Sequence, residues 1–329
     1  KRNYKLFNII VILWTVLVTI SLYSYKEYRV QKILKAQIDI NNINYNFAYR
    51  YYKLLAENIS QYVINSKDTM GILKELQDAT PEQLNITRQK LSKHLDISYK
   101  SLLKINLELL HFHLKDNTSF LRMHKPQKFG DNITNVRYGV KLVNSTQKFV
   151  EGFEIGKMIN KYRFIFPLID KNKNHLGSYE ISVGSKGFID MMKNEKSPDI
   201  HFLVKKEIVD RKTWTDELLK YYKISAETPL YYIESEDAKD IHYEKIEKSK
   251  ELQSEISQNI KKEKSFTLYH DKLIISFLPV KNIEGKNVAY FVIYTKNIDI
   301  TNILLVYWIL NIINLIFGLM KQILYSYLV

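Results

Sequence analysis

The chain has 329 residues, no cysteine, 46% apolar residues and a formal net charge of +14. Without cysteine it has no disulfide framework, thiolate metal site or cysteine nucleophile, so any globular part rests on its own core. The Lys residues are spread among Asp and Glu with no basic block and no binding motif, which argues against nucleic acid as a partner.

The first element is an apolar, charge-free run from Leu6 to Tyr25, matched near the other end by Ile300 to Met320. About 20 apolar residues of helix span a bilayer core, so both runs are long enough to cross. No Ala-x-Ala site follows the first run, and Tyr25-Lys26-Glu27-Tyr28 is a poor cleavage context, which favours an uncleaved anchor over a signal peptide. Lys1, Arg2 and Lys5 before the first run and Lys321 after the second predict cytoplasmic flanks, with residues 26–299 outside. The chain does not begin with Met and stops shortly after the second span, which reads as a piece of a longer protein.

Beyond the first span, no Gly or Pro occurs before Gly71, and apolar residues such as Val30, Ile33, Ile38, Phe47, Tyr51 and Leu54 recur three or four apart. This predicts one continuous helix from the membrane to Ser66-Lys67-Asp68, about 90 Å of rod at roughly 1.5 Å per residue. Thr80-Pro81-Glu82-Gln83 reads as a cap with Pro at the first helical position, opening helical segments that reach about Ile105. Short β-rich runs follow at Leu107–Leu114, Ser119–His124, Phe149–Gly156, Arg163–Ile169 and His175–Val183, with a short helix over Arg137–Asn144. Residues 184–200 read as a helix and connector. A second set of strands is predicted at His201–Val209, Leu230–Glu234, Phe266–Tyr269, Leu273–Pro279 and Val288–Thr295, interrupted by helices near Thr213–Tyr222 and Ala238–Lys262.

Several segments carry a family resemblance. His111–Asp131 (HFHLKDNTSFLRMHKPQKFGD), Gly152-Phe153-Glu154-Ile155-Gly156, Arg163–Pro167 and Leu176–Glu180 resemble the double Cache sensor domains. These are extracytoplasmic, PAS-like ligand-binding regions of bacterial histidine kinases, diguanylate cyclases and chemoreceptors. The resemblance is close over residues 104–190 and holds only in outline for the second module. It implies an α+β fold in which a long N-terminal helix carries two PAS-like (Cache) modules between two transmembrane helices. The expected division is 1–25 for the cytoplasmic flank and first span, 26–195 for the long helix and membrane-distal module, 196–299 for the membrane-proximal module, 300–320 for the second span, and 321–329 for the start of a cytoplasmic region.

In such domains the distal module holds the ligand between its sheet and the segments covering it. Carried over, the expected ligand-binding residues are Phe120, Arg122, His124, Arg137, Glu154 and Tyr179. Alternation along a strand would put Phe120, Arg122 and His124 on one face. An aromatic ring, a guanidinium and an imidazole together suit a small carboxylate, which Arg grips with two parallel hydrogen bonds. Other readings stand beside these. Arg122 pairs equally well with Asp131 or Glu154, His124 with a turn before Lys125-Pro126, and Glu154 and Glu180 with internal arginines. Phe112, Phe120, Phe153 and Phe164 suit a core. His111, His113 and His124 form a thin metal pattern without a carboxylate at fixed spacing. No nucleophile-elbow or phosphate-cradling motif is present, so catalysis is not expected in this segment and no cofactor is called for. The expected role is a sensor in the bacterial inner membrane, with residues 26–299 periplasmic. It would act as a homodimer, bind a small molecule, and report to a cyclase, kinase or chemoreceptor output. A scaffold that senses through a partner protein, or a module that delivers ligand to a transporter, is the rival reading.

Overall fold

The computed structural model describes residues 2–155, 160–197, 199–212, 222–234, 246 and 249–328. Helix α1 runs without a break over Arg2–Ile59 and continues as a π turn over Ser60–Ile64. Its uninterrupted length follows from the absence of Gly and Pro. Ser66 then caps the short helix α2 (Lys67–Leu73) by accepting a hydrogen bond from the Thr69 amide. Helix α3 (Pro81–Leu103) opens with a capping box: Thr80 Oγ1 accepts from the Gln83 amide at 3.3 Å and Gln83 Oε1 accepts from the Thr80 amide at 2.7 Å.

Five strands then form the first sheet: β1 (Leu107–Leu114), β2 (Ser119–Arg122), β3 (Val150–Ile155), β4 (Asn160–Ile169) and β5 (His175–Gly184), in the antiparallel order β2-β1-β5-β4-β3. Helix α4 (Tyr138–Thr146) lies between β2 and β3 in sequence. Asp170 closes the β4–β5 hairpin, accepting hydrogen bonds from the amides of Asn172 and Asn174 at 2.8 Å each. Helix α5 (Ser185–Met192) leads to the second sheet.

That sheet contains β6 (Asp199–Lys205), β7 (Tyr222–Ile224), β8 (Tyr231–Glu234), β9 (Phe266–His270), β10 (Leu273–Lys281) and β11 (Asn287–Lys296), ordered β7-β8-β6-β11-β10-β9. Without the edge strand β7, the spatial order repeats that of the first sheet, so the chain holds two modules of one type. The predicted strand over His201–Val209 ends at Lys205, because helix α6 (Lys206–Lys212) takes its last residues. Of the two helices predicted in this module, residues 213–221 lie outside the described residues. The other is seen as α7 (Lys250–Ile260), its predicted start falling largely outside them. Helix α8 (Ile298–Leu328) follows β11 after a single residue.

The buried side of α1 joins both modules. Leu34 packs with Ile274 and Ile300, and Asn41 Nδ2 donates to Ser276 Oγ at 2.9 Å. Farther along, Ala48, Tyr52, Ala56 and Ile59 join the core under the first sheet. The membrane-length parts of α1 and α8 expose their apolar side chains and touch each other: Asn314 Nδ2 donates to the Thr15 carbonyl at 3.0 Å, and Phe7 stacks on Tyr325.

Candidate functional site

The two faces of the first sheet differ in chemistry. Leu110, Phe112, Phe164, Tyr179, Ile181 and Val183 point to α1 and α3 and are fully buried. The opposite face carries His111 and His113 of β1, Arg163 of β4, Glu154 of β3, and Ser178, Glu180 and Ser182 of β5. Cross-strand register sets them side by side: His111 lies opposite Glu180, His113 opposite Ser178, and Arg163 opposite Ser182. The Thr134–Arg137 segment and α4 cover this polar chamber.

Four charged groups form its centre. Arg137, the N-cap residue of α4, donates through Nε to Glu154 Oε2 at 2.8 Å and through Nη2 to Glu180 Oε2. Arg163 Nη1 donates to Glu180 Oε1 at 2.8 Å, and its Nε lies 3.1 Å from Glu154 Oε2, outside hydrogen-bond geometry. Glu154 Oε1 also accepts the Gly139 amide at 3.2 Å, which ties α4 to β3. Two guanidiniums and two carboxylates balance in charge, as burial demands. Burial and the adjacent Arg137 pull the Arg163 pKa below its ordinary value.

The histidines sit beside this cluster. His111 Nε2 and Ser119 Oγ share a hydrogen bond of 2.8 Å; His113 Nδ1 and Ser178 Oγ share one of 3.1 Å. Burial first, then nearby arginines, lowers both pKa values well below the usual imidazole range, so both rings are neutral at pH 7. His113 Nε2, Ser182 Oγ and Asn144 Oδ1 are buried without a hydrogen-bond partner. Such atoms are rare in folded proteins.

His111, His113 and Glu180 bring potential metal-ligand atoms within 4.8 Å of one another. The fold thus supplies the carboxylate that the sequence pattern lacked, while His124 lies elsewhere. This donor set does not fit a divalent cation, because both arginines already hold Glu180 and place positive charge where the ion would sit.

Of the six expected site residues, only Arg137 and Glu154 meet in the chamber. Phe120 is in the core: the β1–β2 register slips between Phe112 and His113, leaving Phe120 without a cross-strand partner and breaking the expected alternation. Arg122 lies opposite His111 but makes a two-pronged pair with Asp131, at 2.7 and 2.9 Å, and also donates to the Lys128 carbonyl. His124 lies beyond the end of β2 at the surface, where partial desolvation, Lys125 and Arg122 lower its pKa to about 4. Tyr179 faces the other side of the sheet, stacked on Phe166 and sharing a 2.6 Å hydrogen bond with Ser60. Arg163, Glu180, Ser178 and the two histidines make up the rest of the chamber. Their signal in the sequence was polar residues at alternate positions in otherwise apolar strands.

Residues 54–296 match the family model dCache_3, the double sensory domain of two-component sensor kinases. The chain belongs to this family. Solved structures similar to this double sensory domain include the extracellular domain of the putative histidine kinase vpHK1S-Z8, at 15% identity and a TM-score of 0.47, covering 84% of this chain and 95% of that one. A domain of a sensory box/GGDEF family protein from Vibrio parahaemolyticus aligns at 15% identity and a TM-score of 0.47, over 83% and 99% of the two chains. The sensory domain of the Campylobacter jejuni chemoreceptor Tlp3, solved with isoleucine bound, aligns at 12% identity and a TM-score of 0.46, over 86% and 97%. No curated protein matches the chain.

Proposed function

We propose that this double sensory domain binds a small carboxylate-bearing molecule in the polar chamber of its distal module and relays binding toward the membrane. The supporting observation is the chamber itself: two guanidiniums and two carboxylates, closed on each other, beside buried polar atoms without partners. A ligand carboxylate would take over Arg137 and Arg163, while an ammonium group on the same ligand would take Glu154 or Glu180. Arg137 is the exchangeable member, because it sits on a covering segment rather than on the sheet.

Displacing Arg137 would shift α4, whose Val140 and Val143 pack in a small core with Ile133 and Ile165. Ile283, at the β10–β11 turn of the proximal module, reaches into that same core. Strand β11 continues almost directly into α8, so a two-state shift of α4 has a packed route to the second span. The reading includes a homodimer formed along α1, a module division near residue 195, and an inner-membrane location with residues 26–299 outside. The output domain would be a cyclase, a kinase or a chemoreceptor signalling coil.

The test is thermal melting of the full chain in detergent micelles against a panel of small carboxylates and amino acids. Ligand at about 100 times its dissociation constant adds roughly 2.7 kcal/mol, a rise of several degrees. Arg137→Gln should remove this rise. If no compound shifts the melting temperature, or Arg137→Gln responds like the parent, the chamber is not the ligand site and sensing through a protein partner becomes the better reading.

A further inference from the structure

A second cavity, of about 500 Å³, lies on the α3 side of the first sheet, between α3 and the chain that leaves β2. Arg88 and Lys93 line it from the helix, and Gln127 and Phe129 from the β2–α4 connection. Arg88 is only 8% exposed. Its guanidinium lies over the Phe129 ring, with Cζ 3.1 Å from the ring centroid, and Nη2 donates to Asn85 Oδ1. Nε and Nη1 make no hydrogen bond among the described residues, yet neither atom is sealed from solvent. Burial pulls the Arg88 pKa below its ordinary value, and no described carboxylate stands near enough to raise it again. Arg163 is buried more deeply, but between Glu154 and Glu180. A guanidinium taken from water without a counter-charge is costly unless an anion completes it.

The rest of the wall has the same sign. Lys93 has no ion pair among the described residues, and the carboxylate in the lining, Asp96, is held by Lys100 at 2.7 Å. Two positive charges are therefore unmatched. Neutral donors accompany them. Asn85 keeps its amide nitrogen for another partner because its oxygen accepts from Arg88, while Ser92 adds a hydroxyl and Gln127 a second carboxamide. A guanidinium braced by an aromatic ring holds its open N–H groups in one fixed plane for an oxyanion, and Lys93 adds a point charge. Two cations with several neutral donors suit a compact dianion of three acceptor oxygens, which is a phosphate group, better than a flat monocarboxylate.

We propose that this cavity is a second ligand site, separate from the polar chamber on the opposite face of the sheet, and that it binds a phosphate group. Arg88 and Lys93 carry the charge, and Asn85, Ser92 and Gln127 complete the hydrogen bonds. The group is either free phosphate or the head of a small phosphate ester.

The test is calorimetric titration of the full chain in maltoside micelles at pH 7 and constant ionic strength, with inorganic phosphate, glycerol phosphate and succinate as probes. Phosphate should bind, and succinate, a dianion whose charges stand apart, should bind more weakly. Tighter binding of glycerol phosphate would identify an ester as the occupant, and tighter binding of inorganic phosphate the free ion. Arg88→Gln should weaken phosphate about tenfold through loss of a charge-assisted hydrogen bond. Lys93→Gln, at an exposed side chain tolerant of change, should weaken it about threefold. Arg137→Gln, in the chamber, should leave phosphate binding in place. The proposal is overturned if neither phosphate compound binds the parent, or if succinate binds as tightly as both. It is equally overturned if Arg88→Gln and Lys93→Gln both bind like the parent, or if binding is lost only in Arg137→Gln.

Discussion

Arg163 is 2% exposed, one of the largest buried side chains of the chain, and its charge persists because Glu180 accepts from it while Glu154 stands 3.1 Å away. Removing one partner from such a buried pair costs about 3–5 kcal/mol, so the cluster is a strong local constraint. Burial, and after it the nearby cations, hold His111 and His113 neutral, which has a consequence for acid stability. Both pKa values fall below the unfolded value near 6.5, so below that pH the unfolded chain binds more protons than the folded one. Stability from these rings is fully present above about pH 6.5 and falls as the pH drops through it, by up to about 1.4 kcal/mol per pH unit for each ring. The expected outcome is a melting temperature that declines between pH 7 and 5, with a shallower decline in His113→Gln; an equal slope in the two proteins would refute the assignment. Arg137, Arg122, Arg163, Glu154 and Glu180 all bear on these rings. At this scale the sequence named Arg137 and Glu154 and matched Glu154 and Glu180 with internal arginines, but not which arginine each one meets. A strand's alternation says which residues share a face, not which residue of another strand lies opposite.

Among the elements, α1 shows two apolar stripes. One, with Ala48, Tyr52 and Ala56, is buried against the modules. On the opposite side Ile40, Ile43, Phe47 and Leu54 recur at coiled-coil spacing and remain exposed, Phe47 at 64%. They lie beyond the membrane-length run, and such an exposed stripe is costly in water unless covered. The proposed homodimer would cover it. Phe47→Glu should convert dimer to monomer in sedimentation of the full chain in detergent, whereas Ile97→Glu, on the exposed side of α3, should not. A parent chain that sediments as a monomer, or a Phe47→Glu variant that stays dimeric, contradicts the α1 interface. The helix and its length were legible from spacing and the lack of breakers. That it carries two stripes was not, because Phe47, Tyr51 and Leu54 read in sequence as members of one apolar pattern.

Across the whole molecule, two helices are long and apolar enough to cross a membrane, and the proposed topology sets both ends of the chain on one side and both modules on the other. The absence of cysteine makes this directly measurable. Lys171→Cys, in the exposed β4–β5 turn, should react with a membrane-impermeant maleimide on intact spheroplasts, and Ser326→Cys only after permeabilisation. The reverse pattern would invert the proposed topology.

The two membrane-length runs, the long helix, the capped α3 and most strand positions were determined by the sequence alone, because hydropathy length, helical and strand periods, and turn residues are local properties; the end of β6 and the edge strand β7 were not. The order of strands, the slip that buries Phe120, the pairing of Arg122 with Asp131, and the insertion of Ile283 into the distal module were decided only by tertiary structure. So was the meeting of Arg137, Glu154, Arg163 and Glu180, which come from a covering segment and three strands. Charge pairs are chosen by distance in the folded state, and that distance follows from non-local register, to which sequence spacing is blind.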